Sequence, residues 1–342
     1  STDYKGRKAC NYCGPIGQNC DRGARASSDI TYLPEAIKLG AEVRPNCTVF
    51  EITTGDDGRA TGANYYNSNG EQEFQPANAV VLGCNGIGTP RMLLHSTSNS
   101  HPEGLLNSSG QVGKNLMFHV YAGASGFFDD LDAPTYRGPL ACIIMSQEFY
   151  ETDPSRNFKR GYTFQMGRGQ GPAPTANGGV SWGKDHHTEF AERFGKNLGL
   201  GVIGDDLPEE INRVELDKKL TDRYGIPAPK VIYRVGDNSK RLLAHGVHSA
   251  RTVLESAGAS RIISSQLNTN TGWHLMGTAR MGEDPANSVV NPYGQGHDSD
   301  NLFIVDGSVF VTGAAVNPTP TIQALALRTA DYIRHERSDL KS

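Results

Sequence analysis

Ala79-Val80-Val81-Leu82-Gly83-Cys84-Asn85-Gly86-Ile87-Gly88-Thr89-Pro90-Arg91-Met92-Leu93-Leu94 is the stretch on which the fold reading turns. Its first four residues are a short continuous apolar run, the pattern of a strand buried on both faces of a parallel sheet. A glycine-rich turn follows. Thr89 as N-cap with Pro90 at the first helical position then marks a helix start. A second run of the same kind, Leu302-Phe303-Ile304-Val305, is closed by Asp306-Gly307. Beyond a Gly/Ala/Asn/Pro loop, Thr319-Pro320 opens the last helix. Its apolar residues Ile322, Leu325, Ala326, Ala330 and Ile333 keep helical spacing.

Upstream, residues 1–28 read as an irregular Cys/Gly/Arg/Asn-rich segment and 29–39 as a short helix ended by Gly40. Strands are expected at 41–44, 48–52 and 63–66, with Asp57-Gly58 and Asn69-Gly70 as hairpin turns. Between about 124 and 267 the character changes. Strand-like runs at 141–145, 162–166, 198–203 and 230–233 are joined by longer polar connections, and 238–257 is an amphipathic helix closed by Gly258. This stretch reads as a separate domain built on an antiparallel sheet.

The chain has 342 residues, 37% hydrophobic and 20% charged, enough for a sizeable core. A formal net charge of −4 leaves no basic excess to neutralise phosphates, which argues against a nucleic-acid partner. No apolar run approaches the ~20 residues of a membrane span. The first residues are neither an initiator methionine nor a signal peptide, so the chain reads as beginning inside something larger and its compartment is unknown.

The sharpest segment is Trp273-His274-Leu275-Met276-Gly277-Thr278-Ala279-Arg280-Met281-Gly282. Asn287-Ser288-Val289-Val290-Asn291 follows, then the Asp306-Gly307 strand end, then Asn317-Pro318-Thr319-Pro320. Singly each piece has a bland reading: a boundary histidine, a turn, a cap. The ordered set closely resembles the C-terminal signature of the glucose–methanol–choline (GMC) oxidoreductases. The 80–94 segment is similar to that family's second signature, with Asn85, and Thr97 after Ser96, standing where glycine is usual.

The resemblance implies FAD as cofactor, with His274 and Asn317 facing the flavin ring. It places Asp306 and Gly307 beside the pyrophosphate and ribityl chain, and the start of the last helix, Asn317-Pro318-Thr319, at the flavin N1–C2=O edge. It also places the backbone of Val49 against the adenine. The implied fold is α/β: part of a Rossmann-like FAD-binding domain with a parallel sheet (1–123 and 284–342), interrupted by an α+β substrate domain on an antiparallel sheet (124–283). The strand–GxGxxG–helix unit that opens the family's fold has no counterpart here. The chain is therefore expected to be the C-terminal part of such a protein, or to have its first half supplied separately, and not to hold FAD tightly alone.

Oxidation of a CH–OH group needs a base for the hydroxyl proton while hydride leaves carbon for flavin N5. Histidine, with an ordinary pKa near ~6.5, suits that proton. The neutral amide of Asn317 can hold the substrate oxygen. A helix N-terminus favours negative charge, and Asp306 sits where a parallel strand ends, the usual ligand position of doubly wound sheets.

Residues 212–216, Asp222, 225–229 and 110–119 resemble the sugar-dehydrogenase and pyranose-oxidase branches. They imply a sugar, sugar acid or other alcohol as substrate; whether a quinone, cytochrome or oxygen takes the electrons, and whether a small subunit docks alongside, stays open. Oxidase and dehydrogenase remain alternatives, and so does a non-catalytic remnant. His119 could line the active site but reads more as a buried structural histidine, His186-His187 as a solvated loop, and His245 and His248 as surface or packing residues. Cys10, Cys13 and Cys20 form an incomplete ligand set with no second CxxC. Similar sugar dehydrogenases carry an iron–sulfur cluster here, but these thiols are read as structural and no metal is assigned.

Overall fold

Turn residues cut the chain into short elements. The computed structural model describes residues 2–14, 20–131, 135–138, 144–169, 171–269 and 272–340. In order they are α1 (Tyr32–Lys38), β1 (Thr48–Thr54), β2 (Ala60–Tyr66), β3 (Gln72–Pro76), β4 (Val80–Leu82), α2 (Asn85–His95) and β5 (His119–Phe127). Next come β6 (Met145–Ser146), β7 (Tyr162–Gly167), α3 (Pro172–Pro174), α4 (His186–Arg193), β8 (Asn197–Asp205), β9 (Arg213–Thr221) and β10 (Pro227–Ile232). The last are α5 (Asp237–Ser256), β11 (Arg261–Ser265), β12 (Leu302–Ile304) and α6 (Thr319–Glu336).

Two compact units result. One comprises Arg44–His119, Asp205–Ser239 and Asn270–Ser342; the other comprises Ser1–Val43, Val120–Gly204 and Lys240–Thr269. These units divide the chain differently from the expected boundaries after 123 and 283. Residues 1–43 group with the antiparallel sheet, because Arg168 lies over the Tyr12 ring and Gly138 N–H donates to the Gly14 carbonyl. The β9–β10 hairpin groups with the other unit, because the Arg91 guanidinium on α2 bonds Asp222 at 2.8 Å and the Pro227 carbonyl at 2.7 Å.

In the first unit, β1, β2 and β3 form an antiparallel sheet with the expected hairpin turns. Gly58 and Gly70 take φ of +78° and +82°, the left-handed region that glycine occupies at no steric cost. β4 and β12 pair in parallel, Val80 opposite Leu302 and Leu82 opposite Ile304. Leu302, Phe303 and Ile304 are buried, and Leu302 and Ile304 join Ile52, Leu93, Leu105, Val290 and Val309 in one core. The expectation that β4 is buried on both faces is corrected: Val81 is 50% exposed, because β4 has only β12 beside it and its outer face is uncovered among the described residues.

The start of α2 is also corrected. The helix begins at Asn85, four residues before Thr89, so Pro90 lies inside it. Asn85 has φ +66° and its Oδ1 accepts the N–H of Ile87 (2.9 Å) and Gly88 (3.3 Å). The side chain therefore does the work of a cap, and Asn is the non-glycine residue that best tolerates this backbone. Pro90 has no N–H for the Gly86 carbonyl. That carbonyl instead accepts from the buried Thr278 hydroxyl at 2.8 Å, so the helix passes through Pro90 without leaving an orphan acceptor. Asn85→Ala is expected to lower stability by about 1–2 kcal/mol, and Asn85→Gly by only a few tenths, because glycine keeps the backbone and loses only the cap. Thermal denaturation of the two variants side by side tests this.

The other unit carries a five-stranded antiparallel sheet in the order β11-β5-β8-β7-β6. α5 packs on β8 through Gly246, where an added Cβ would come within 2.5 Å of Val202. His245 is a packing residue: its Nδ1 stands 2.8 Å from the Tyr162 hydroxyl, between Phe149 and Phe158. Burial pushes the Tyr162 hydroxyl up to about 12. Three expectations change. His186-His187 is not a loop but opens α4, which is steadied by the Glu189–Arg193 ion pair one turn apart. Residues 41–44 form no strand; they are exposed and run into Pro45 and Asn46, the latter at φ +59°. Of the strand expected at 141–145, residues 141–143 lie outside the described residues and Met145 begins β6.

Candidate active site

The segment from Trp273 to Gly282 has no regular secondary structure of its own, and its neighbours hold it. Met276 exchanges backbone hydrogen bonds with Met117 (2.9 and 3.1 Å), and His119 N–H donates to the Trp273 carbonyl at 3.3 Å. Farther on, Ala279 and Met281 N–H donate to the carbonyls of Ser308 and Val309, each at 2.9 Å. The chain therefore lies between residues 117–119 and the turn after β12. Gly277 is required twice over: its φ is +92°, and an added Cβ would come within 2.2 Å of the Asn115 carbonyl oxygen. Gly86 is required for a similar reason, since a Cβ there would meet the Leu275 carbonyl at 2.7 Å.

His274 has φ +62°, an uncommon conformation for a residue with a Cβ, held here by the pairing on either side. Its imidazole is partly buried, and burial followed by the neighbouring His119 holds its pKa down to about 4. His274 is thus a neutral imidazole at pH 7. His119 is fully buried. Its Nδ1 stands 2.7 Å from His274 Nδ1 and its Nε2 2.9 Å from the Gly313 carbonyl oxygen, with the two rings edge to face. Burial lowers the His119 pKa, against the carbonyls of Gly313 and Ala314, which favour its protonated form. The sequence favoured a structural role for His119 over a place lining the active site; the structure sets it 2.7 Å from the candidate base.

Asp306 ends β12. Its carboxylate accepts from the Thr89 hydroxyl (2.5 Å), Ser308 N–H (2.8 Å) and Asn85 N–H (3.1 Å). It therefore ties the starts of α2 and of the following 3-10 turn to the strand end. Gly307 must be glycine because a Cβ would come within 2.6 Å of the Leu275 carbonyl.

Asn317 lies three residues beyond Ala314, so its Cα is within about 11 Å of the loop that meets His119. It is partly buried, Pro318 is buried and Thr319 is exposed. Val49 is on β1 opposite Tyr65 and is 44% exposed.

A second buried polar group is centred on Asp206. The Asp206 carboxylate, 2% exposed, accepts from the Tyr233 hydroxyl (2.7 Å) and the Ser239 hydroxyl (2.8 Å). Burial raises its pKa, opposed by those two bonds and by one from the Phe118 N–H. Burial and the facing Asp206 carboxylate push the Tyr233 hydroxyl up as well. Nothing in the sequence pattern singled out Asp206. Cys10 and Cys20 accept hydrogen bonds from the backbone N–H of Tyr12 and Ala24, and the Ala24 bond lowers the Cys20 pKa. Among the described residues, no group of three His, Cys, Asp or Glu could hold a metal ion.

Residues 2–121 and 208–326 each match a family model described as GMC oxidoreductase. The chain belongs to the GMC oxidoreductase family. Relatives include 2-methyl-1,2-propanediol dehydrogenase of Mycolicibacterium austroafricanum, 40% identical over 98% of this chain and 62% of that protein. The fructose dehydrogenase large subunit of Gluconobacter japonicus is 30% identical over 98% of this chain and 61% of its own length. The chain thus spans about three fifths of the length of these relatives. A solved formate oxidase of Aspergillus oryzae RIB40, in a structure concerned with modification of its FAD, has the same fold. Its TM-score is 0.58 at 16% identity, over 86% of this chain and 61% of that one.

FAD is the cofactor of the GMC family, and the described residues fit it at the start of α6. The first turn carries no acidic side chain, and with prolines at 318 and 320 its amide donors are Thr319 and Thr321, which have no intrahelical acceptor. Such an end accommodates developing negative charge. The start of α2 differs, because Asn85 already covers its amides. No helix among the described residues is long and apolar enough to cross a membrane.

Proposed function

We propose that this chain forms the substrate-facing part of an FAD-dependent dehydrogenase that oxidises a CH–OH group of a polyol or sugar. The observation that carries the reading is His274: a neutral imidazole on a strained, doubly anchored backbone, in the segment that marks the family. FAD, when bound, supplies the hydride acceptor. His274 takes the hydroxyl proton. Asn317 donates an amide hydrogen to the substrate oxygen and holds it while the proton leaves. The start of α6, with Asn317, Pro318 and Thr319, faces the flavin, and Asp306 shapes the neighbouring wall through the backbone of Gly307 and Ser308. Val49 meets the adenine through its backbone. The five-stranded unit serves the substrate side.

Dehydrogenase chemistry is preferred to oxidase chemistry because the two dehydrogenases are 40% and 30% identical over 98% of this chain. Paromamine 6'-oxidase of Streptomyces fradiae is 28% identical, and a C-glycoside 3-oxidase is 33% identical over only 42% of this chain. A quinone or cytochrome then takes the electrons, and a small subunit is a fitting partner. Anaerobic addition of 1,2-diols and of fructose to the FAD-loaded protein from the complete reading frame is expected to bleach the flavin bands. Admitting oxygen is expected to release little peroxide, and a quinone to restore the bands. Rapid peroxide release would make the protein an oxidase. A loaded protein that no polyol, sugar or simple alcohol bleaches would overturn the enzymatic reading.

A further inference from the structure

We propose that His119 is a positioning residue that fixes the His274 imidazole in one tautomer, with its proton on Nδ1 and its lone pair on Nε2. The inference rests on the reading of His274 as the base. It follows from hydrogen-bond accounting. The Gly313 carbonyl can only accept, so His119 Nε2, 2.9 Å away, carries a hydrogen. A neutral imidazole has one N–H, so His119 Nδ1 is bare. His274 Nδ1, 2.7 Å from it, must then donate. The other nitrogen of His274 is left as the acceptor for a substrate hydroxyl. Burial keeps His119 in the neutral form that this arrangement needs.

The backbone around His119 is pinned at every step, which is what a positioning role requires. Leu116 N–H donates to the Asn212 carbonyl at 2.8 Å, Met117 pairs with Met276, Phe118 N–H bonds the buried Asp206 carboxylate, and His119 N–H reaches Trp273. The acceptor loop is held as closely, since a Cβ on Gly313 would come within 2.9 Å of Asp205 Oδ1. Without His119, His274 would exchange between tautomers, and one of the two presents N–H to the substrate instead of a lone pair.

The test compares His119→Leu, which fills the space without an acceptor, with His119→Asn, whose side-chain oxygen takes the place of Nδ1. In the FAD-loaded protein, the limiting rate of anaerobic flavin reduction is expected to fall on the order of 100-fold in the Leu variant. Apparent substrate affinity is expected to change by less than about 3-fold, since the role is in the chemical step. The Asn variant is expected to recover to within about 10-fold of the parent. Equal rates for Leu and Asn, or a Leu variant as fast as the parent, would overturn the proposal.

Should the Leu variant fail to retain FAD, His119→Gln replaces it, because its oxygen sits one bond too far out to meet His274 Nδ1; Asn and Gln at equal rates would be equally decisive against the role. His274→Ala is measured alongside. If it bleaches at the parent rate, the base assignment itself is wrong. If it is slow while His119→Leu is unaffected, only the positioning role is lost.

Discussion

His274→Ala is expected to slow anaerobic reduction of the flavin by substrate roughly 10³-fold, within the ~10²–10⁴ range of a positioned general base, while FAD stays bound. The pH dependence should identify the group. Its pKa in the folded protein is about 4, below the ordinary 6.5. The neutral, proton-accepting form therefore persists as pH falls through 6, and the acid limb of kcat/KM falls near pH 4 instead of 6.5. The same shift bears on stability. Between pH 6.5 and about 4 the unfolded chain binds a proton that the folded one excludes, so ∂ΔG/∂pH is positive there. The contribution is fully present above pH 6.5 and lost as pH falls towards 4. His274→Ala should therefore be slower at every pH and less acid-sensitive in its melting temperature. An acid limb left near 6.5 in the parent would show that another group supplies the base.

Asp306→Ala is expected to cost about 3–5 kcal/mol. It leaves three donors, two of them backbone N–H groups at the starts of α2 and of the 3-10 turn, without the charged acceptor they share. For a chain of this size that corresponds to a melting temperature lower by roughly 4–7 °C. The loss should extend to FAD retention, because the backbone of Gly307 and Ser308 moves with the carboxylate. Asp306→Asn keeps an acceptor oxygen and should fall between Ala and the parent. A melting temperature within a degree or two of the parent in the Ala variant would mean that these donors find other acceptors. Thermal unfolding of both variants, with flavin content measured on the same samples, decides it.

What the sequence determined by itself is local. The strands at 80–82 and 302–304, the hairpins at Gly58 and Gly70, the helix closed by Gly258 and the start of the last helix were all legible, because apolar period and turn chemistry act over a few residues. The family was legible for a related reason: glycines such as Gly86 and Gly277 answer to close backbone approaches where a Cβ would not fit, and Thr278 supplies a buried hydroxyl, so the signature segment carries the residues its packing demands.

What the tertiary structure decided is every relation between distant segments. The start of α2 was misplaced because Pro90 looks like a first-turn residue until the Thr278 hydroxyl, 192 positions from Gly86, takes over the donation to the Gly86 carbonyl that Pro90 lacks an N–H to make. The exposure of Val81 depends on which strands flank it. Asp306 reads from the sequence as a strand-end residue beside a cofactor; the fold adds that its carboxylate is engaged by Asn85, 221 residues away. His119 and His274 are 155 residues apart, and each alone is an ordinary boundary or core histidine. Their 2.7 Å contact exists because residues 117–119 pair with 273–276, and backbone hydrogen bonds between remote segments leave no periodicity in either one.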